Sequence, residues 1–287
     1  MGRSAAALAV VFVAACNFEP GGLPISDDDA DLSAPAAADL AVAADAATPS
    51  DLADPCGPAV AVAPNVLPVQ CVIGNPPVVD GNLADWGTLA DTLTHGNAQY
   101  QSSSSAWTGV PAQDDANSSA QFALRWDLSN LYVAVHVTDD VRGVHPAAPG
   151  YQPYLDDAVE LYLDGLHDRT TMYGADDHQF IITADGSNFE YENTVSMGAV
   201  PAGDFALQPD ATGAGFAVEF RVPWSALGGT PAANGRVIGF DLMVDDDDDT
   251  KMQDLARFIA WWNMTSTGCT YPAGCTATFG AAELVGR

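Results

Sequence analysis

The segment QFALRWDLSNLYVAVHVTDD limits what this chain can fold into more than any other feature. Phe122, Leu124 and Trp126 fall on one side of a two-residue period. Leu131, Val133, Val135 and Val137 repeat that period in the next run, against Tyr132, Ala134 and His136. Successive side chains of a β-strand point to opposite faces, so this spacing buries one face of a strand and does not fit a helical stripe. Six more short apolar runs follow: AVELYLDG, HQFIITADG, NFEYENTV, GFAVEFRVP, RVIGFDLMV and RFIAWW, punctuated by Gly, Pro, Asn and Asp. Only PWSALGG reads as helical, and it spans barely two turns. Short strands at this spacing predict an all-β domain, an antiparallel β-sandwich over residues 56–287.

Charge narrows the partners. The formal net charge is −29, and no Lys or Arg stands between Arg3 and Arg125. Nucleic acids and anionic lipid surfaces need clustered cations, so nucleic acid is excluded as a partner. Neutral ligands and divalent cations remain. At the N-terminus, MGRSAAALAVVFVAAC joins one cation to an apolar run and small residues, the design of a secretory signal too short to span a bilayer. Its VAAC ending resembles a bacterial lipobox, with Val13 where leucine is usual. Residues 1–16 are therefore expected to be a lipoprotein signal peptide, with Cys16 lipidated and anchoring the chain to a membrane. Asn17 is not an aspartate, so an exported outer-membrane lipoprotein is expected, facing the periplasm or the cell surface. Residues 17–55 are Ala, Asp, Pro and Leu without lasting periodicity, which predicts a disordered tether.

Five Cys occur; without Cys16, four remain. An exported compartment permits disulfides, and four Cys allow three pairings. Proximity favours Cys56–Cys71 and Cys269–Cys275; a zinc site is the alternative, although no CxxC spacing occurs.

Seven motifs, in order over residues 76–285, resemble the family 9 carbohydrate-binding modules. PPVVDGNLADWG resembles the family's opening Asp-Gly turn with its following Trp. LRWDLSNLYVAVHVTDD, PYLDDAVELYLDG, DDHQF, VEFRVPWSALG, VIGFDLMVDDDD and TFGAAELV match its later strands and turns. The resemblance implies a sandwich that binds sugars, often with calcium, in carbohydrate catabolism. It implies no catalytic role of its own.

The resemblance also implies roles for individual residues. Tyr154 matches a stacking platform, with Asp157 and Glu160 following it, and Glu160 and Gln179 match hydroxyl-binding side chains. Tyr271 stands near the family's second platform, where a Trp is expected, and Ile181 stands where sugar binders can carry a cation. Flat aromatic faces suit the C–H faces of pyranose rings. Trp107, Tyr151, Tyr173 and Trp262 are the other aromatics placed in loops, whereas Trp86, Trp126, Trp224 and Trp261 fall within strand motifs and read as core. Calcium needs six to eight oxygens, and carboxylates abound at strand ends: Asp139, Asp140, Asp156, Asp157, Asp164, Asp176, Asp177 and the run Asp245 to Asp249. Of that run, Asp245, together with Asp247, is expected to ligate or cap a turn, and the rest to form a solvated extension.

The same residues admit other functions. A structural or adhesion lipoprotein would use the sandwich as scaffold alone. A glycoside hydrolase would need two carboxylates with opposed roles. A haem-binding domon-type sandwich would draw axial ligands from His136, His145, His178, Met172 or Met243. No G-x-S-x-G elbow and no phosphate-binding glycine fingerprint occurs.

Overall fold

The computed structural model describes residues 54, 56–101, 114–145, 152–192, 196–198, 205–211, 213–248, 257–262 and 275–287. All of them fall in the compact unit Pro49–Arg287. The expected signal segment with Cys16, and the tether apart from Asp54, lie outside the described residues. So do Trp107, Tyr151, Asp249, Cys269 and Tyr271.

Fourteen strands occur among the described residues. The first half of the chain supplies β1 (Val66–Cys71), β2 (Asp91–Leu93), β3 (Tyr100–Gln101), β4 (Ser118–Trp126) and β5 (Asn130–Asp139). Next come β6 (Ala158–Asp164), β7 (Asp177–Thr183), β8 (Asn188–Glu192), β9 (Ser196–Gly198) and β10 (Phe205–Pro209). The last four are β11 (Phe216–Pro223), β12 (Val237–Asp246), β13 (Arg257–Ala260) and β14 (Gly280–Val285). They pair in the order β10-β11-β5-β4-β1-β14-β12-β6-β7-β8-β9, with β2 on β4 and β13 between β12 and β3.

The path curls so that its two halves face each other. Phe122 of β4 stacks on Phe240 of β12 at 6.0 Å, and Phe180 of β7 meets Phe220 of β11 at 6.2 Å. The alternating residues of β4 and β5 point into this core, as the sequence period requires. Strand β1 joins the halves. It runs parallel to β14 through Val66–Gln70, then parallel to β4 at Gln70 and Cys71. These pairings depart from the expected all-antiparallel ladder, because β1 bridges two sheets rather than extending one hairpin. PWSALGG forms turns, and no α-helix occurs among the described residues; its two glycines at positive φ, Gly228 and Gly229, end the segment before a helix can propagate.

The opening motif has a defined structural task. Gly81 turns the chain at φ 81°, and a Cβ there would stand 3.0 Å from Leu207 and Gln208 backbone atoms. Glu219 on the outer face of β11 is fully buried and receives the turn. It accepts from the backbone N–H of Asp80 at 3.0 Å and of Gly81 at 2.6 Å, and from Trp86 Nε1 at 2.6 Å. Trp86, Trp126 and Trp224 are buried as expected, while Trp261 is half-buried against the core. The expected Cys56–Cys71 disulfide is present, pinning the start of the domain to the end of β1. Cys275 is disulfide-bonded as well.

Candidate functional site

Strands β12, β6 and β7 carry Leu242, Leu161 and Phe180 inward, so Glu160, Tyr162 and Gln179 share the opposite face. Register sets the neighbours. Glu160 lies between Met243 and Ile181, and Tyr162 between Asp241 and Gln179. This outer face is itself buried. Glu160 is 3% exposed and Tyr162 1%, and Tyr162, Met243, Tyr173, Ala260 and Phe279 form a second apolar layer over the sheet.

A buried carboxylate must find donors, because desolvation penalises its charge. Glu160 finds three partners. Tyr162 donates its hydroxyl to Oε2, and Gln179 Nε2 donates to the same oxygen at 2.6 Å. Asp245 hydrogen-bonds the same carboxyl group. Burial raises the proton affinity of Glu160, and these hydrogen bonds oppose the rise. Burial, then the charge of Glu160, pushes Asp245 well above the carboxylate range.

Tyr154 sits in the short 3-10 turn Pro153–Leu155, packed against β7 and β12. Its side chain is 39% exposed, and the charge of Glu160 acts on its hydroxyl. The structure therefore gathers Tyr154, Glu160 and Gln179. Asp157 is engaged elsewhere: its carboxyl accepts from the backbone N–H of Gly143, and of Asp247 at 2.7 Å. Burial and then the charge of Asp139 push Asp157 up to about 10. Tyr173, expected in a loop and available to a ligand, is buried against Phe279. Trp262 is half-buried, and its backbone N–H donates to Asp241 at 3.0 Å. Sequence reasoning missed Tyr162, although its parity with Glu160 on one strand could have placed it on the same face.

The aspartate run departs most from expectation. Strand β12 continues through Asp246, and Asp245, Asp246 and Asp247 are all buried. Asp245 faces Glu160 rather than a turn. Asp246 accepts from Asn117 Nδ2 at 2.7 Å, and Arg257 pairs with Asp248 at 3.0 Å. The solvated extension is corrected accordingly: partners distant in sequence draw these carboxylates inward.

Three clusters among the described residues bring candidate ligand atoms within 4.8 Å of one another: Asp139, Asp140 and Asp248; His145, Asp156 and Asp247, with a ring nitrogen from His145; Asp164, Asp176 and Asp177. Oxygens around one calcium ion lie within about 5 Å of each other, so this spacing fits the ion. The third cluster fits on a further observation. Asp177 is fully buried, and its Oδ1 has no hydrogen-bond partner among the described residues. Burial pushes Asp177 up to about 7 and Asp139 up to about 6. None of these clusters contains two of the histidines weighed as haem ligands. The Glu160–Asp245 pair is in direct hydrogen bond, closer than the separation of about 5 Å or more that flanks a scissile glycosidic bond.

Comparison with known proteins gives one consistent result. The model of the carbohydrate family 9 binding domain-like family matches residues 87–287. The exoglucanase XynX of Acetivibrio thermocellus is 30% identical over 182 residues, covering 63% of this chain and 14% of its own length. Endo-1,4-beta-xylanase A of Thermotoga maritima is 27% identical over 210 residues, covering 73% of this chain and 17% of its own. The chain thus spans about a sixth or less of the curated relatives it matches. Among solved structures, a family 9 carbohydrate-binding module from Caldicellulosiruptor kristjanssonii in complex with cellotriose shares the fold. Its TM-score is 0.54 at 23% identity, covering 77% of this chain and 94% of that one.

Proposed function

The chain belongs to the carbohydrate family 9 binding domain-like family, and from that premise we propose that its domain binds neutral β-linked glucose or xylose oligosaccharides, without catalysis, beneath Tyr154. The observation that carries this is the buried Glu160–Gln179 pair, hydrogen-bonded at 2.6 Å, with the partly exposed Tyr154 close enough for the charge of Glu160 to act on its hydroxyl. Stacking would engage the apolar sugar face, and the carboxylate would accept a hydroxyl. Ile181 beside Glu160 supplies no cation, which favours uncharged sugars over uronates. The relatives' names and the cellotriose in the related structure support this ligand class.

Titration calorimetry with cellotriose and xylotriose tests the proposal. Tyr154→Ala is expected to weaken binding by about tenfold or more, since stacking of this kind contributes about 1–2 kcal/mol. Its melting temperature should fall by no more than a few degrees, because Tyr154 lies outside the buried core and is 39% exposed. Absence of binding to every neutral oligosaccharide tried, or unchanged affinity in Tyr154→Ala, would overturn it.

We further propose that Asp164, Asp176 and Asp177 hold a structural calcium, and that Cys16 anchors the domain to the outer membrane through the tether. A role in carbohydrate catabolism follows from a binding domain held at the envelope. Palmitate labelling should appear in the wild type and vanish in Cys16→Ser; label retained in the variant contradicts the anchor.

A further inference from the structure

We infer that Tyr162 is a positioning residue of the sugar site, its hydroxyl fixing the Glu160 carboxylate in the orientation that meets a ligand. The inference rests on Glu160 contacting the sugar. Strand β6 presents both side chains on one face, two residues apart, and β7 brings Gln179 directly beside Tyr162.

The hydroxyl has one proton, and that proton goes to Glu160 Oε2. Its lone pair accepts from Gln179 Nε2 at 3.2 Å, while the same amide bonds Oε2 at 2.6 Å. Tyrosine, glutamine and glutamate thus close a triangle converging on one carboxylate oxygen. The phenol ring cannot swing away: Phe279 lies 5.7 Å from it, within the layer that also holds Tyr173 and Met243. Burial and the charge of Glu160 keep the phenol protonated, so it remains a donor through the working pH range.

Counting donors shows what this leaves for a ligand. A carboxylate offers about four lone-pair positions. Tyr162 and Gln179 use two, both on Oε2. These two fixed donors decide which way the remaining positions point. No cation stands beside Glu160 in the register, where Met243 and Ile181 flank it, so neutral donors alone orient the charge.

A double-mutant cycle tests this, with cellotriose as the probe in titration calorimetry. Tyr162→Phe keeps the ring and removes the hydroxyl. It is expected to weaken binding about tenfold, the usual worth of a hydrogen bond to a charged group. Glu160→Gln is expected to weaken it further, and adding Tyr162→Phe to Glu160→Gln to cost little more. Gln179→Leu removes the other donor without touching the ring and should show the same non-additivity with Glu160→Gln, which keeps the test alive if Tyr162→Phe folds poorly. Wild-type affinity in Tyr162→Phe, or an equal loss in both backgrounds, overturns the positioning role alone. Wild-type affinity in Glu160→Gln overturns the sugar-site assignment and this inference with it.

Discussion

Glu219→Ala is expected to lower the melting temperature by about 10 °C. The side chain is fully buried and receives three donors: the N–H groups of Asp80 and Gly81 and the indole Nε1 of Trp86. Removing it leaves those donors facing a cavity. Each buried unsatisfied donor costs about 1–3 kcal/mol, and a domain of this size loses about 2–4 °C per kcal/mol. Part of the loss is recovered if water enters the space, hence an expectation near the lower end of the range. Glu219→Gln should lie between, because an amide oxygen can accept from one side while its NH2 opposes the other donors. Thermal unfolding followed by circular dichroism measures both variants. A shift below about 3 °C in Glu219→Ala would mean that the Asp80–Trp86 turn does not depend on this carboxylate.

That motif illustrates how far the sequence alone could be followed. PPVVDGNLADWG was recognisable as a turn before a Trp, but its partner lies 138 residues further on at Glu219. The sandwich itself was legible because β4, β5 and β11 keep a strict two-residue period, with one row in the core. Strands β6, β7 and β12 were harder to interpret. Every residue of β6 and β7 is buried, so Tyr162 and Met243, on the side that normally meets solvent, lie in a second apolar layer instead. Alternation marks one buried face; it does not reveal that the other is covered too. The bridging role of β1 escaped notice for a related reason. VLPVQC is short, and its pairing depends on Ala281–Val285 and Trp126 rather than on local pattern. Beyond Asp245 and Asp247, the aspartates of the run looked solvated because like charges repel in an isolated strand. In the fold, Asn117 reaches Asp246 across 129 residues, and Asp247 donates its backbone N–H to Asp157 across 90. Local sequence carries no record of such partners. Tyr154, Glu160 and Gln179 could be singled out because each stands within a short motif of the family resemblance, Tyr154 in the turn before β6 and the other two on β6 and β7.

Those buried acids also lead to the second large expectation. In EDTA, the melting temperature should rise as pH falls from about 8 to about 5. Asp177 and Asp241 are pushed up to about 7, Asp139 up to about 6 and Asp157 up to about 10, in each case first by burial. In the unfolded chain these groups ionise near pH 3.9. Between that value and the folded ones, the native state holds more protons than the unfolded state, so the slope of stability with pH is negative. The stabilisation is fully present below the unfolded value and is lost as pH climbs through about 6 to 7, with the Asp157 share lost nearer 10. A divalent cation replaces protons at Asp164, Asp176 and Asp177. At pH 8, calcium at about a hundred times its dissociation constant should add about 2.7 kcal/mol, or about 5–10 °C. At pH 5 the gain should shrink, because protons compete for the same oxygens. Asp177→Asn separates the two effects: it should raise the melting temperature of the metal-free protein at pH 8 and blunt the response to calcium. Differential scanning calorimetry across this grid decides the matter. A metal-free melting temperature highest at pH 8 contradicts the proton linkage, and a calcium response identical in Asp177→Asn removes that cluster as the cation site.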